Sequence, residues 1–229
     1  MTAGDGQVRP EQTVVRAVVR PYASALPLGF FCFGIGMLLL AGQALGWIAG
    51  PDVRVAGILL AAFVFPLEFL ACVIAFLARD TATSATLGLF STSWLALGLA
   101  AIFTPPDALS AAEGLYLIGF AVMIVALAIV ALPDKPLLGL LLAASALRSL
   151  MSGAYQLGAP HGLDVAAGVV VVGIFAAAAC LGLAFVLEDS KQRAVLPTVR
   201  WGAAERAIEG DLSDQVARLQ NEAGIRTQL

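Results

Sequence analysis

Residues 55–78 read VAGILLAAFVFPLEFLACVIAFLA, with Glu68 as the one charged side chain. A helix needs about 20 mostly apolar residues to cross the hydrocarbon core of a membrane, which is about 30 Å thick. This stretch is long enough to cross it, and the buried strands of soluble proteins are usually shorter. It therefore predicts a transmembrane helix that carries an acidic group inside the membrane.

Five further stretches have the same apolar character. Together with residues 55–78 they give six predicted spans, at about 26–48, 55–78, 84–103, 111–132, 136–157 and 164–187. The composition agrees, because 60% of the residues are hydrophobic and 13% are charged, whereas soluble domains are about 25% charged. Short turns separate the spans, so successive helices are expected to be antiparallel neighbours. The predicted fold class is all-α, a polytopic membrane protein with six transmembrane helices in one bundle.

The basic residues are distributed unevenly over the connections between the spans. If the N-terminus lies in the cytoplasm, every Lys and Arg is cytoplasmic except Arg54, on the opposite side, and Arg148, inside a span. An excess of Lys and Arg marks the cytoplasmic loops of membrane proteins. Both termini are therefore predicted to be cytoplasmic, in a multi-pass protein of the cell's inner (plasma) membrane.

This topology divides the chain into three predicted segments. They are a cytoplasmic N-terminal segment at 1–25, a transmembrane domain at 26–187 and a cytoplasmic tail at 188–229. In the tail, apolar residues recur every three or four positions from Trp201 to Leu219, which is the period of a helix. The tail is therefore expected to be amphipathic and to pack on the cytoplasmic face of the bundle.

Two charged side chains lie deep within predicted spans. Glu68 is about ten residues from the cytoplasmic end of the second span and Arg148 about twelve from that of the fifth, or roughly 15 and 18 Å at the helical rise per residue. A charge at such depth costs at least about 2.5–3.5 kcal/mol and normally faces the bundle interior with a partner. The sequence predicts either a Glu68–Arg148 pair or a water-filled path that both residues face. A purely structural link between two helices is the alternative.

Further candidates for a solute path lie in the third span. Ser91, Trp94 and Gly98 are spaced i, i+3 and i+7, so they share one face of a helix. This face is predicted to line the path. The alternative is that the hydroxyl groups of this span bond the backbone of their own helix.

Residue patterns typical of enzymes are missing from the sequence. There is no H-E-x-x-H zinc motif and no G-x-S-x-G nucleophile elbow, and the single histidine, His161, falls in a connection predicted to be external. The net charge of −3 does not favour nucleic acid. The protein is expected not to be an enzyme, and no catalytic residue, metal ligand, cofactor or nucleic-acid partner is predicted.

Several short motifs stand at the ends of spans and within the third span. Pro27-Leu28-Gly29 opens the first span, Gly88 precedes Trp94-Leu95 by six residues in the third, and Leu196-Pro197 follows the sixth. In this order and spacing the sequence resembles the acetate uptake transporter family, which includes the succinate–acetate permeases of bacteria. The resemblance covers about residues 24–197, and Glu68 stands where the family has Gln.

The sequence also departs from the family pattern at three further places. Ser93 replaces a Phe, Leu181-Gly182 replaces an aromatic pair, and Arg148 replaces an apolar residue. The aromatic residues help to form a narrow hydrophobic constriction in the family. A divergent member is therefore expected.

The resemblance implies a transporter or channel for short-chain monocarboxylates such as acetate, acting as a proton symporter. The implied partners are a small organic anion, the lipid bilayer and further copies of the chain in a hexamer. In this hypothesis Arg148 attracts the carboxylate, Glu68 takes up or releases the proton, and Phe90 and Trp94 narrow the path. Two alternatives are a channel for small neutral solutes (urea, ammonia, undissociated acid) and a non-transporting scaffold subunit that binds through its tail.

Overall fold

The computed structural model describes residues 23–105, 108–191 and 195–196. It contains six helices that are long and apolar enough to cross a membrane, and no strand occurs in the described part of the chain. The helices are α1 (Leu26–Ala44), α2 (Pro51–Leu77), α3 (Thr81–Phe103), α4 (Ala111–Ala131), α5 (Pro136–Gln156) and α6 (His161–Lys191). The predicted all-α fold with six spans is confirmed. The predicted amphipathic segment from Trp201 to Leu219 lies outside the described residues.

Local sequence signals set where the helices begin. Pro lies in the first turn of α1, α2 and α5, where its missing N–H would have had no partner within the helix. Asp80 caps α3, because its carboxylate accepts hydrogen bonds from the Thr83 backbone N–H and the Thr83 hydroxyl. Ser110 caps α4 by accepting from the Glu113 backbone N–H. These caps satisfy backbone donors that a helix start leaves free.

Helix α2 is irregular near its middle. Its α-helical parts, Pro51–Leu59 and Phe65–Leu77, are joined by a π-helical turn at Leu60–Val64. Pro66 lies two residues after this turn, and a proline both lacks the N–H donor and clashes with the carbonyl four residues earlier. The wider turn is therefore the local adjustment that lets the helix continue through Pro66 to Glu68.

The six helices pack as two groups that meet chiefly along α1 and α6. Helix α2 packs against α3 and α1, and α5 packs against α4 and α6. Helices α3 and α4 touch far less, although they are consecutive, so the expected pairing of sequential neighbours is weakest there. Large apolar side chains on the outer faces, among them Phe76, Phe103 and Val130, are exposed, as a surface that meets lipid or another subunit requires.

Candidate solute path

An aromatic cluster closes the centre of the bundle. The rings of Phe33 and Phe90 are 4.8 Å apart, those of Phe90 and Phe120 are 5.2 Å apart, and those of Phe33 and Trp94 are 6.1 Å apart. All four side chains are buried. Gly36 leaves the space for the Trp94 indole, because a Cβ atom on Gly36 would lie 2.9 Å from that ring. We call these four residues the aromatic constriction.

A wide cavity lies on one side of the aromatic constriction. It has a volume of about 450 Å³ and extends to the exposed residues Pro105 and His161 at the helix ends. Leu40, Leu97 and Leu117 form its apolar floor, next to the constriction. Its walls also carry polar and charged side chains, among them Gln43, Glu113, Arg148, Tyr155, Gln156 and Asp164.

Arg148 is the cation of the wide cavity. Its side chain is 8% exposed, and among the described residues it makes no hydrogen bond and no ion pair within 4.0 Å. It interacts electrostatically with Asp164, Glu113 and Tyr116. Asp164 accepts a hydrogen bond of 2.8 Å from the Ser152 hydroxyl. The guanidinium N–H groups therefore face the cavity without a hydrogen-bond acceptor among the described residues.

Gln43 adds a second donor to the same cavity. Its Nε2 atom is buried and has no hydrogen-bond partner in the described part of the chain. Buried polar groups in native proteins are nearly always hydrogen-bonded. Two donors without protein partners, from α1 and α5, in one cavity indicate a site for a hydrogen-bond acceptor.

A narrow cavity lies on the other side of the aromatic constriction. Its volume is about 40 Å³, and Phe33, Glu68, Phe90, Thr86 and Leu142 are among its lining residues. Water needs roughly 10–15 Å³ of such space, so the narrow cavity can hold at least one molecule.

Glu68 is completely buried beside the narrow cavity. Its Oε2 atom accepts a hydrogen bond of 2.5 Å from the Trp94 indole N–H. Its Oε1 atom has no partner among the described residues. The carboxyl group thus has one oxygen fixed by the constriction and one available to a water molecule, a proton or a solute.

The predicted Glu68–Arg148 pair is wrong. Glu68 bonds Trp94, whereas the charged groups near Arg148 are Asp164 and Glu113. The physical reason is the packing order, since α2 lies against α1 and α3 while α5 lies against α4 and α6. Similar depth in the membrane does not bring two residues together when their helices are not neighbours.

The two charged residues nevertheless flank the same constriction. Along each of three helices the narrow cavity comes first and the wide cavity about six or seven residues later, since one is lined by Phe33, Phe90 and Leu142 and the other by Leu40, Leu97 and Arg148. At the helical rise this separation is roughly 10 Å. The arrangement fits the second sequence hypothesis, in which both residues face one path.

The other predicted path residues fall in different places. Phe90 lines the narrow cavity, and Trp94 lies in the constriction. Ser91 lines neither cavity described above, and its hydroxyl donates to the Gly88 carbonyl of its own helix at 3.1 Å. That contact is the alternative interpretation made for the hydroxyl groups of this span.

Gly98, also predicted to line the path, lies at a close helix contact and lines neither cavity described above. A Cβ atom at Gly98 would lie 2.7 Å from the Gly57 carbonyl oxygen and 3.2 Å from the Ala61 Cβ atom. Gly98 therefore lies where α3 crosses α2 at close range. Spacing along α3 put Ser91, Trp94 and Gly98 on one face. Part of that face, at Trp94, belongs to the constriction, and another part, at Gly98, contacts α2.

Two family departures have structural explanations. Gly182, in place of an aromatic residue, makes room for Phe31, whose ring would lie 2.7 Å from a Cβ atom at that position. Ser93 is buried on α3, near the Tyr116 hydroxyl group of α4. The aromatic constriction is built without these positions, from Phe33, Phe90, Trp94 and Phe120.

Sequence reasoning missed five residues of this region: Phe33, Gln43, Glu113, Phe120 and Asp164. Glu113 stands in the first turn of its helix, where an acidic residue is explained by the helix dipole alone. Phe33 and Phe120 sit among many apolar residues of their spans. Only the uncharged amide of Gln43 inside a predicted span could have signalled a polar lining.

These features define a six-helix membrane protein with a central aromatic constriction between two cavities. Its fold is that of the bacterial acetate channel SatP, whose solved structure superposes with a TM-score of 0.69 at 19% sequence identity. The match covers 77% of this chain and 98% of the channel chain. No protein-family model matches the sequence, and no curated protein does. The structural match thus confirms the fold that the resemblance implied, although the sequence comparisons found no match.

Proposed function

We propose that this protein is a transporter or channel for short-chain monocarboxylates such as acetate. One observation carries the proposal: the buried Arg148 guanidinium faces the wide cavity without an ion pair among the described residues. A buried charge is costly unless it is paired, so an anionic ligand is the natural partner. The shared fold with an acetate channel supports the same class of solute.

The shape of the wide cavity supports a carboxylate in particular. Arg presents a planar fork of donors that matches a carboxylate, and the Gln43 amide adds a further donor from α1. The floor at Leu40, Leu97 and Leu117 is apolar, which suits the alkyl end of a short acid. On the predicted orientation, the wide cavity faces the outside of the cell.

Proton coupling is the finer part of the proposal. Glu68 lies across the constriction from Arg148, with its Oε1 atom available to the narrow cavity. A carboxyl in this position can accept a proton from a solute that has crossed as the neutral acid and pass it to water in the narrow cavity. Glu68 is therefore assigned the release of the proton.

A channel for neutral solutes is the second candidate. The aromatic constriction itself supports it, because its four side chains offer no charge to a permeating ion. A path that only neutral molecules cross would carry undissociated acid, urea or ammonia. Uptake of urea at a rate similar to that of acetate, independent of Arg148, would favour this function.

The test is uptake of radiolabelled acetate into liposomes that contain the purified protein, with and without an imposed pH gradient. Arg148→Gln should lower kcat/KM at least about thirtyfold, because losing one partner of a buried charge contact costs about 2 kcal/mol or more. Arg54→Gln is the matched control, since Arg54 is exposed near the same end of the bundle and does not line the wide cavity. It should transport like the parent.

Arg148→Lys covers the case in which the Gln variant does not fold, because it keeps the positive charge beside Glu113 and Asp164. It should fold and show a raised KM, since Lys lacks the planar fork. Size-exclusion chromatography in detergent reports folding. A folded Arg148→Gln protein with parental uptake would contradict the proposal.

A further inference from the structure

We propose that Glu113 is the proton carrier of the wide cavity and supplies the proton to a carboxylate held at Arg148. This inference rests on the function proposed above. The sequence singled out Glu68 as the only acidic group of the path. The structure places two more carboxylates, Glu113 of α4 and Asp164 of α6, in the cavity that holds Arg148 of α5.

The charges of the cavity make anion binding depend on a proton. One guanidinium and two carboxylates give the described lining a formal charge of 1 − 2 = −1, with His161 neutral. A bound acetate anion would change the formal charge of the cavity from −1 to −2. The space is partly enclosed, and like charges there are screened less than in bulk water. Uptake of one proton by the cavity together with the anion removes this added charge.

Glu113 is better suited to carry that proton than Asp164. Asp164 accepts the 2.8 Å hydrogen bond from Ser152, and both Asp164 and Glu113 interact electrostatically with Arg148. The Glu113 side chain makes no hydrogen bond among the described residues; Ser110 bonds only its backbone N–H. The Asp164 carboxylate is therefore engaged by Ser152, whereas the Glu113 carboxyl is available to take up a proton.

Few titratable groups surround Glu113. Arg148 of α5 and Asp164 of α6 interact with it electrostatically. Tyr155 of α5 and His161 of α6 line the same cavity, and Tyr116, on α4 itself, interacts with Arg148. Helix α3 contributes Leu97, Ala100, Ala101 and Thr104 to the same lining and no titratable group. Asp107, in the connection between Pro105 and Ala108, lies outside the described residues.

The proton passes directly from Glu113 to the solute. The O–H bond of the Glu113 carboxylic acid breaks, a new O–H bond forms on the carboxylate oxygen of the solute, and Glu113 remains as a carboxylate beside Arg148. A hydronium ion of the external solution then returns a proton to Glu113 through water in the wide cavity. The solute leaves Arg148 as a neutral acid, which crosses an apolar constriction at much lower cost than an anion.

The experiment is acetate uptake into liposomes as a function of external pH, corrected for uptake by protein-free liposomes. The parent should show a KM that falls at least about fivefold between about pH 7.5 and about pH 5.5, because the protonated cavity binds the anion better. Glu113→Gln mimics the protonated group permanently. Its KM should be low and nearly independent of pH, while its kcat falls at least about tenfold because the donor is lost.

Two further variants separate this role from a structural one. Asp52→Asn removes an exposed carboxylate near the same end of the bundle, outside the wide cavity, and should keep the parental pH profile. Glu113→Asp should restore the pH dependence of KM. A Glu113→Gln protein whose KM still follows pH as the parent does would overturn the assignment of Glu113 and leave the proposed function intact.

The substrate class is tested in the same assay with glycine as a competitor. A zwitterion could place its carboxylate at Arg148 and its ammonium group between Glu113 and Asp164 without any proton. Weak competition by glycine at neutral pH is expected. Competition stronger than that of acetate would overturn the proton-carrier role, and absence of acetate uptake by the parent at every pH would instead refute the proposed function.

Discussion

Glu68 and Arg148 belong to separate surroundings, although each is a charged residue buried deep in a span. Glu68 shares a hydrogen bond with Trp94, and Arg148 shares electrostatic interactions with Asp164 and Glu113. Mutations without shared partners usually add within about 0.3–0.5 kcal/mol. Effects of the two residues on stability should therefore be independent, whatever their joint effect on transport.

Substitutions at Glu68 and Arg148 should act independently on stability in double variants. The shifts in apparent unfolding temperature caused by Glu68→Gln and Arg148→Lys should add in the double variant, measured by thermal unfolding in detergent. Glu68→Gln with Trp94→Phe is the matched comparison. Those two changes should not add, because both act on one hydrogen bond. A double Glu68/Arg148 variant more stable than either single one would mean that the two side chains meet after all.

At the scale of helices, the α2–α3 crossing is the tightest feature near the constriction. Gly57 and Gly98 face each other, and a Cβ atom on either would lie 2.7 Å from the carbonyl oxygen of the other. Small residues let membrane helices approach closely. The crossing and the π-helical turn of α2 together set the height at which Glu68 reaches Trp94.

Gly98→Ala should therefore destabilise the protein by about 1–3 kcal/mol, the usual cost of overfilling a packed contact. Gly119→Ala on α4 is the control, since nothing lies within 4 Å of a Cβ atom at that position. It should be neutral or slightly stabilising, because Ala favours a helix over Gly by about 1 kcal/mol. Thermal unfolding in detergent gives both values. Equal effects of the two substitutions would argue against the close crossing.

At the scale of the whole molecule, orientation and assembly stay predictions. The distribution of Lys and Arg predicts cytoplasmic termini, and the resemblance implies a homo-oligomer. The wide cavity then faces outside and the narrow cavity faces the cytoplasm. This assignment decides which side of the membrane supplies the carboxylate and the proton.

Cysteine labelling in intact cells tests the orientation. In a background in which Cys32, Cys72 and Cys180 are replaced, single cysteines at three positions should react with a membrane-impermeant reagent: Pro51, Pro105 and His161. Cysteines at Lys135 and Gln192, the latter outside the described residues, should react only after permeabilisation. The reverse pattern would invert the topology and place the wide cavity on the cytoplasmic side.

The sequence by itself determined the six spans and the presence of two charges within them. Both follow from local chemistry, because about 20 apolar residues are sufficient to specify a membrane helix and a charge inside such a run is visible without any knowledge of packing. The resemblance added the fold, on motifs only a few residues long.

Only the tertiary structure decided which side chains meet. It separated Glu68 from Arg148, placed Gly98 at the α2–α3 crossing, and brought Glu113 and Asp164 near Arg148. These contacts depend on which helices are neighbours and on how each helix is rotated about its axis. The apolar runs carry almost no information on either, since lipid and protein interior are equally apolar surroundings for the same side chains.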